Sequence, residues 1–164
     1  MAVSSLQSNA FSPRPIALIG SSVMPVYEGP ESASHQGIDG SVVVFASGYL
    51  DAGSADLTSG IVGLQVGAGS NTTAGAVNLS YIAAVPGLIV EITLEDQSNE
   101  DHAFAAANIG EDYALQVDDD GVWYLDENDV TNVSMTIIGH PPDVAVGDVR
   151  ARVYATFLSS ATIW

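Results

Sequence analysis

The residues best spaced for chemistry in this sequence are acidic. Asp118, Asp119 and Asp120 stand before Gly121, and Glu127 follows. A calcium loop reads D-x-[DN]-x-[DN]-G-x5-E, with oxygen ligands at alternate positions and a bidentate glutamate at the end. With Gly121 on the invariant glycine, Asp118 and Asp120 fall on ligand positions and Glu127 on the bidentate one. The first ligand position then falls on Gln116, a neutral amide, and both flanks read as strands. Asp-Gly is the commonest hairpin-turn dipeptide. The run 118–127 is therefore expected to be a hairpin, without a specific calcium site.

Other chemistry has less support. His35, His102 and His140 each sit in or beside a predicted turn, and no G-x-S-x-G elbow offers a nucleophile. Gly67-Ala-Gly-Ser resembles a phosphate loop only in its glycines, because no strand–loop–helix unit follows and the chain has no lysine. Carboxylate pairs of the kind that hydrolyse glycosides depend on separation in space. Aromatic residues for a sugar cleft are few. Trp123 and Tyr124 are neighbours in a predicted strand, so they are expected on opposite faces, with one in the core. No catalytic residue, cofactor or metal ligand is assigned, and the protein is not expected to be an enzyme.

Composition narrows the partners. Of 164 residues, 20 are acidic, and the only basic side chains besides histidine are Arg14, Arg150 and Arg152, for a formal net charge of -17. Phosphate backbones and anionic membrane surfaces need clustered cations, so neither nucleic acid nor membrane is an expected partner. The absence of cysteine excludes disulfides and thiolate chemistry. The N-terminus lacks a basic region followed by an apolar run, so no signal peptide is expected. The sequons at Asn71, Asn78 and Asn132 then read as chance matches. The hydrophobic fraction of 47% is ample for a core.

The elements that would position these residues are strands. Residues 1–39, with Pro13, Pro15, Pro25 and Pro30, read as an extended arm that lies on its own domain or on a neighbour. Residues 40–164 read as one β domain. Its expected strands cover 41–50, 61–66, 77–82, 88–94, 113–117, 122–124, 133–138 and 149–157, joined by Gly, Pro and Asp turns. Ala103–Ile109 is the one helical signal, about two turns of strong helix formers with Asp101 as N-cap and Gly110 as C-cap. The expected class is mainly β: an antiparallel β-barrel or sandwich with one short helix and an extended N-terminal arm.

Both ends carry interface chemistry. Phe11, Pro13, Arg14, Pro15 and Ile16 in the arm are candidate contact residues, on this subunit or another. Trp164 suits either an anchor in a partner's pocket or a plug in its own barrel.

Several motifs have a familiar shape: Ile109-Gly110-Glu-Asp-Tyr113, Gly121-Val-Trp-Tyr-Leu-Asp126, Thr131 to His140, Val146-Gly-Asp148 and Arg152 to Leu158. Over roughly residues 85–158 the chain resembles the capsid decoration, or cement, proteins encoded beside the major capsid protein in tailed phages. The resemblance implies a β-barrel that binds the outside of an icosahedral shell, made in the host cytoplasm and carried on the virion. It implies the major capsid protein as partner and brings no catalytic residues. A homo-oligomer, with a trimer favoured, is expected on these grounds and from strand faces that one small barrel does not fully bury. The alternative is a surface β-sandwich that binds carbohydrate.

Overall fold

The computed structural model describes residues 13–21, 23–33, 35, 37–69, 72–96 and 103–164. Eleven strands are found among them: β1 (Arg14–Leu18), β2 (Val26–Pro30), β3 (Val42–Ala46), β4 (Tyr49–Ala52), β5 (Ile61–Val66), β6 (Asn78–Ala83), β7 (Leu88–Glu95), β8 (Asp112–Val117), β9 (Trp123–Asp126), β10 (Val133–Gly139) and β11 (Arg152–Phe157). They form two sheets, and the fold is mainly β. The larger runs β1-β7-β11-β10-β8-β9, and β9 returns to pair with β7. That pairing, Thr93–Tyr124 to Glu95–Asp126, is parallel, whereas the rest of the sheet is antiparallel. It closes β7, β11, β10, β8 and β9 into a five-stranded barrel. Ile92, Leu115, Leu125, Met135, Ile137 and Val153 are fully buried in its core.

The smaller sheet runs β2-β6-β5-β3-β4 and curls until its ends meet. A parallel bridge joins Glu31, just past β2, to Leu50 in β4, and Ser32 N–H donates to Leu50 O at 2.8 Å. Gly29 sits at this seam. A Cβ there would lie 2.8 Å from Leu50 Cδ1, so any other residue must push the buried Leu50 side chain aside at this seam. Val43, Leu50, Val62, Leu79 and Tyr81 form the core of this sheet, while Val42, Ile61 and Leu64 join the core of the larger one.

The expected strand at 41–50 is two strands. Ser47 and Gly48 both take positive φ, 52° and 87°, and form the tight hairpin that turns β3 into β4. The expected helix over 103–109 is absent, and only Ala106–Asn108 makes a single 3-10 turn. Tertiary pairing overrides the alanines. Ala103 bridges to Val149, Phe104 N–H donates to Asp148 O, and the Phe104 ring is buried in the core. Gly110 does take positive φ, 94°, after the turn. Asp101, the expected cap, lies outside the described residues. The last expected strand starts three residues late because Arg150 has φ 52°.

Of the two places open to the arm, its described part lies on its own domain. β1 runs antiparallel to β7 from Arg14–Glu91 to Leu18–Leu88, and β2 runs antiparallel to β6 from Val26–Ile82 to Pro30–Asn78. The arm is thus one strap across both sheets. Deleting residues 1–26 removes β1 and bares the edge of β7. Circular dichroism should still report β structure, with a thermal midpoint lowered by about 5–10 °C, equivalent to a few kcal/mol at this size. An unchanged midpoint would mean that the strap adds nothing to stability.

Candidate functional site

The expected contact residues fall on three features: the strap, the cleft beneath its start, and the C-terminal tail. Arg14 opens β1 directly across from Glu91 in β7, which makes them cross-strand neighbours. Arg14 Nη2 donates to Glu91 Oε2 at 2.6 Å. From the other side of β7, Arg152 in β11 donates Nη1–H to Glu91 Oε1 at 2.6 Å, and its other terminal nitrogen pairs with Asp143. Burial pushes the Glu91 carboxyl up, but hydrogen bonds and charge from both arginines outweigh it, and the net direction is down. Bonding to Glu91 raises Arg152 in turn. The third arginine, Arg150, lies 3.3 Å from the buried Glu95, also on β7. All three arginines are therefore committed to β7.

Pro13, Arg14 and Pro15 wall a cleft of about 450 Å³ that is completed by Asp39, Gly40, Gln65, Val66, Ile82 and Glu91. The Arg14 side chain is 66% exposed at its rim. Ile16 lies further along the same strand at the surface. Phe11 lies outside the described residues.

Gln65 belongs both to this cleft and to a buried polar cluster behind it. Its amide nitrogen donates to Gly37 O at 3.1 Å and to Gly67 O at 2.8 Å. Its Oε1 must then accept, and it takes the proton of His35 Nε2 at 2.9 Å. That leaves His35 Nδ1 facing Asp51 Oδ1 at 3.5 Å. The carboxylate of Glu31 is buried beside the ring. A Cβ on Gly69 would sit 2.7 Å from Glu31 Oε1 and 2.8 Å from His35 Nε2. Gly69 is thus small because it covers this cluster, whereas Gly67 faces open space and takes φ 80°. The imidazole meets an amide rather than a nucleophilic hydroxyl, and His35, in a non-strand segment beside the turn at Ala33, is buried.

The tail returns beside β5. Ile61 N–H donates to Ala161 O, Ile163 N–H donates to Ile61 O, and Trp164 Nε1–H donates to Val62 O at 2.7 Å. The Trp164 ring stacks on Tyr27 of β2 at 6.1 Å, and Tyr27 stacks on Tyr81 of β6 at 5.8 Å. Trp164 therefore packs on its own chain, while remaining 48% exposed next to a Tyr27 that is 44% exposed.

The acidic run forms a turn. Asp118 Oδ1 accepts the backbone N–H groups of Asp120 and Val122, and Gly121 has φ 82°. Glu127 instead accepts from the amide of Asn108 at 2.7 Å. Gln116 donates to Asp56, from a distant loop. A polar recess of about 370 Å³ joins residues of this run to the distant Asp56 and the 128–132 turn, lined by Asp56, Gln116, Asp126, Asn128, Asp129 and Asn132. Burial would raise the Asp129 carboxyl. The backbone and side-chain N–H groups of Asn132 and the N–H of Thr131 outweigh this and hold it at about 2. Among the described residues, no group of three or more His, Asp or Glu side chains is arranged to hold a metal ion. Trp123 and Tyr124 are both buried, against the expectation of one exposed face, because β9 is covered on both sides.

The sequence matches no protein-family model and no curated protein.

The two depressed carboxyls fix a sign. A carboxyl lowered by folding contributes stability that is complete above its ordinary value and is lost as pH falls through the lowered one. For Asp129 that window runs from about 4 down to about 2. Asp129→Asn should cost about 1–2 kcal/mol at pH 7 and flatten the acid limb of the stability curve in that window. Glu91→Gln should flatten the limb below the ordinary glutamate value. Urea titrations from pH 7 to pH 2 measure both. Parallel curves for wild type and a variant would show that its carboxyl is not coupled to folding.

Proposed function

We propose that this protein decorates an icosahedral viral shell. It binds the outer surface as a homo-oligomer, a trimer in the reading we favour, and braces contacts between capsomers. The observation that carries the proposal is a set of exposed apolar side chains on the strap and tail. Ile16, Ile19, Val23, Val26, Tyr27, Ile163 and Trp164 are all exposed there. Monomeric soluble proteins rarely expose large contiguous apolar patches without using them. The resemblance of residues 85–158 to cement proteins supports the same reading, and so does a rigid body of two curled sheets held by one strap. Under this proposal the major capsid protein is the partner, the capsid exterior is the location, and the acidic surface repels nucleic acid.

A second reading, a carbohydrate-binding module, draws on one observation. The half-exposed, stacked rings of Tyr27 and Trp164 could meet a sugar face.

One experiment separates them. Under the proposal a major capsid protein is encoded beside this chain; shells assembled from it are incubated with the protein and reconstructed by electron microscopy. The expected result is added density on the outer surface at sites between capsomers. Bare shells would overturn the proposal. Glycan-array binding that is abolished in Trp164→Ala would put the second reading ahead. Light scattering across a salt series should report association that strengthens with ionic strength, because screening within about 10 Å at 0.1 M salt weakens repulsion between copies of charge -17.

A further inference from the structure

The charge of this chain is segregated along its sequence. Residues 1–27 hold one arginine and no carboxylate, whereas the rest holds all 20 carboxylates and the other two arginines. The fold concentrates that segregation. The strap lies along 78–90, the β6–β7 run, which has no carboxylate, and the strap itself carries one only near its far end, the exposed Glu28 of β2. The tail from Val149 to Trp164 has none either, and its last residue stacks on Tyr27 of the strap. The first carboxylate on the β7 side is Glu91, which Arg14 and Arg152 neutralise. The strap up to Tyr27, the β6–β7 run and the tail thus make one ribbon without a side-chain carboxylate on a molecule of net charge -17, bordered by Glu28. Its most exposed large apolar side chains are Ile19 at 71% and Val23 at 68%.

We infer that this ribbon is where copies of the chain meet one another. The inference rests on the proposed reading as an assembling shell protein and assigns the contact within the oligomer. The occupant follows from charge. A basic partner would be drawn to the carboxylates and away from the ribbon. A second copy is acidic everywhere else, so the ribbon is the surface through which it can approach without setting carboxylate against carboxylate. Pro15, Pro25 and Pro30 interrupt the backbone donors along the strap, so the copies pack through side chains rather than by extending a shared sheet.

The test is light scattering of the full chain at about 0.5 M NaCl, where repulsion is screened. Ile19→Asp and Val23→Asp place a carboxylate in the ribbon. Val130→Asp places one at an equally exposed valine outside it. Circular dichroism checks that each variant folds. The expected result is a wild-type oligomer, self-association weakened at least tenfold in both ribbon variants, and wild-type behaviour in Val130→Asp. The inference is overturned if the folded ribbon variants assemble like wild type, if Val130→Asp dissociates as much as they do, or if the wild type is monomeric throughout. Shell binding keeps the two readings apart. Monomeric ribbon variants that still coat shells uphold the contact and leave decoration standing. A ribbon-dependent oligomer that coats no shell upholds the contact while decoration falls.

Discussion

Strand β7 is the constraint on which the rest of the structure depends. It takes β11 along one edge and divides the other between β1 and β9. The parallel β9 pairing closes the larger barrel, and the β1 pairing ties down the strap. A parallel pair cannot come from a tight hairpin. The chain must travel through β8 and the Asp118–Gly121 turn before β9 can reach β7. The barrel therefore closes only when strands distant in sequence have already been placed. Each of these pairings needs β7 as template, which is consistent with its eight residues being the longest strand found.

The same strand solves an electrostatic problem. Glu91 and Glu95 are buried carboxylates in a chain with few cations. Burying a charge without a partner is costly, and truncating one side of a buried pair leaves that cost exposed. The three arginines are spent here, with Arg14 and Arg152 gripping Glu91 from both sides and Arg150 beside Glu95. Each arginine thus has a carboxylate partner within the fold. The Arg14–Glu91 bond also fixes the register of the strap, because it forms only when these two residues face each other.

Seams and surfaces divide the work of the two sheets. The larger sheet closes by strand pairing, and the smaller by one bridge at Glu31–Leu50, where Gly29 leaves room for the Leu50 side chain. Behind that bridge, His35, Gln65, Glu31 and Asp51 pack under the glycine loop. Uncharged backbone and apolar side chains gather on the strap and tail, while carboxylates gather in turns and in the recess around Asp129. The resulting surface has a stretch poor in carboxylates, bordered by Glu28, and an acidic remainder.

Local chemistry in the sequence determined most of the strands and their turns. β-branched runs such as Leu88–Leu94, the Asp-Gly turn at 120–121 and the positive-φ glycine at 110 depend on residues within a few positions of one another. The candidate contact residues Pro13 to Ile16 and Trp164 were legible as apolar or proline-rich ends, and they lie at the surface or the cleft wall. What the tertiary structure decided are relations between residues far apart in the chain. It opened the alanine helix by pairing Ala103 with Val149, buried both Trp123 and Tyr124, and brought Asp56 to Gln116. It also turned Trp164 onto Tyr27 and Val62 of its own chain. Propensity and turn preference act over a few residues and about 1 kcal/mol. Burial and pairing between distant strands act over the whole chain and outweigh them.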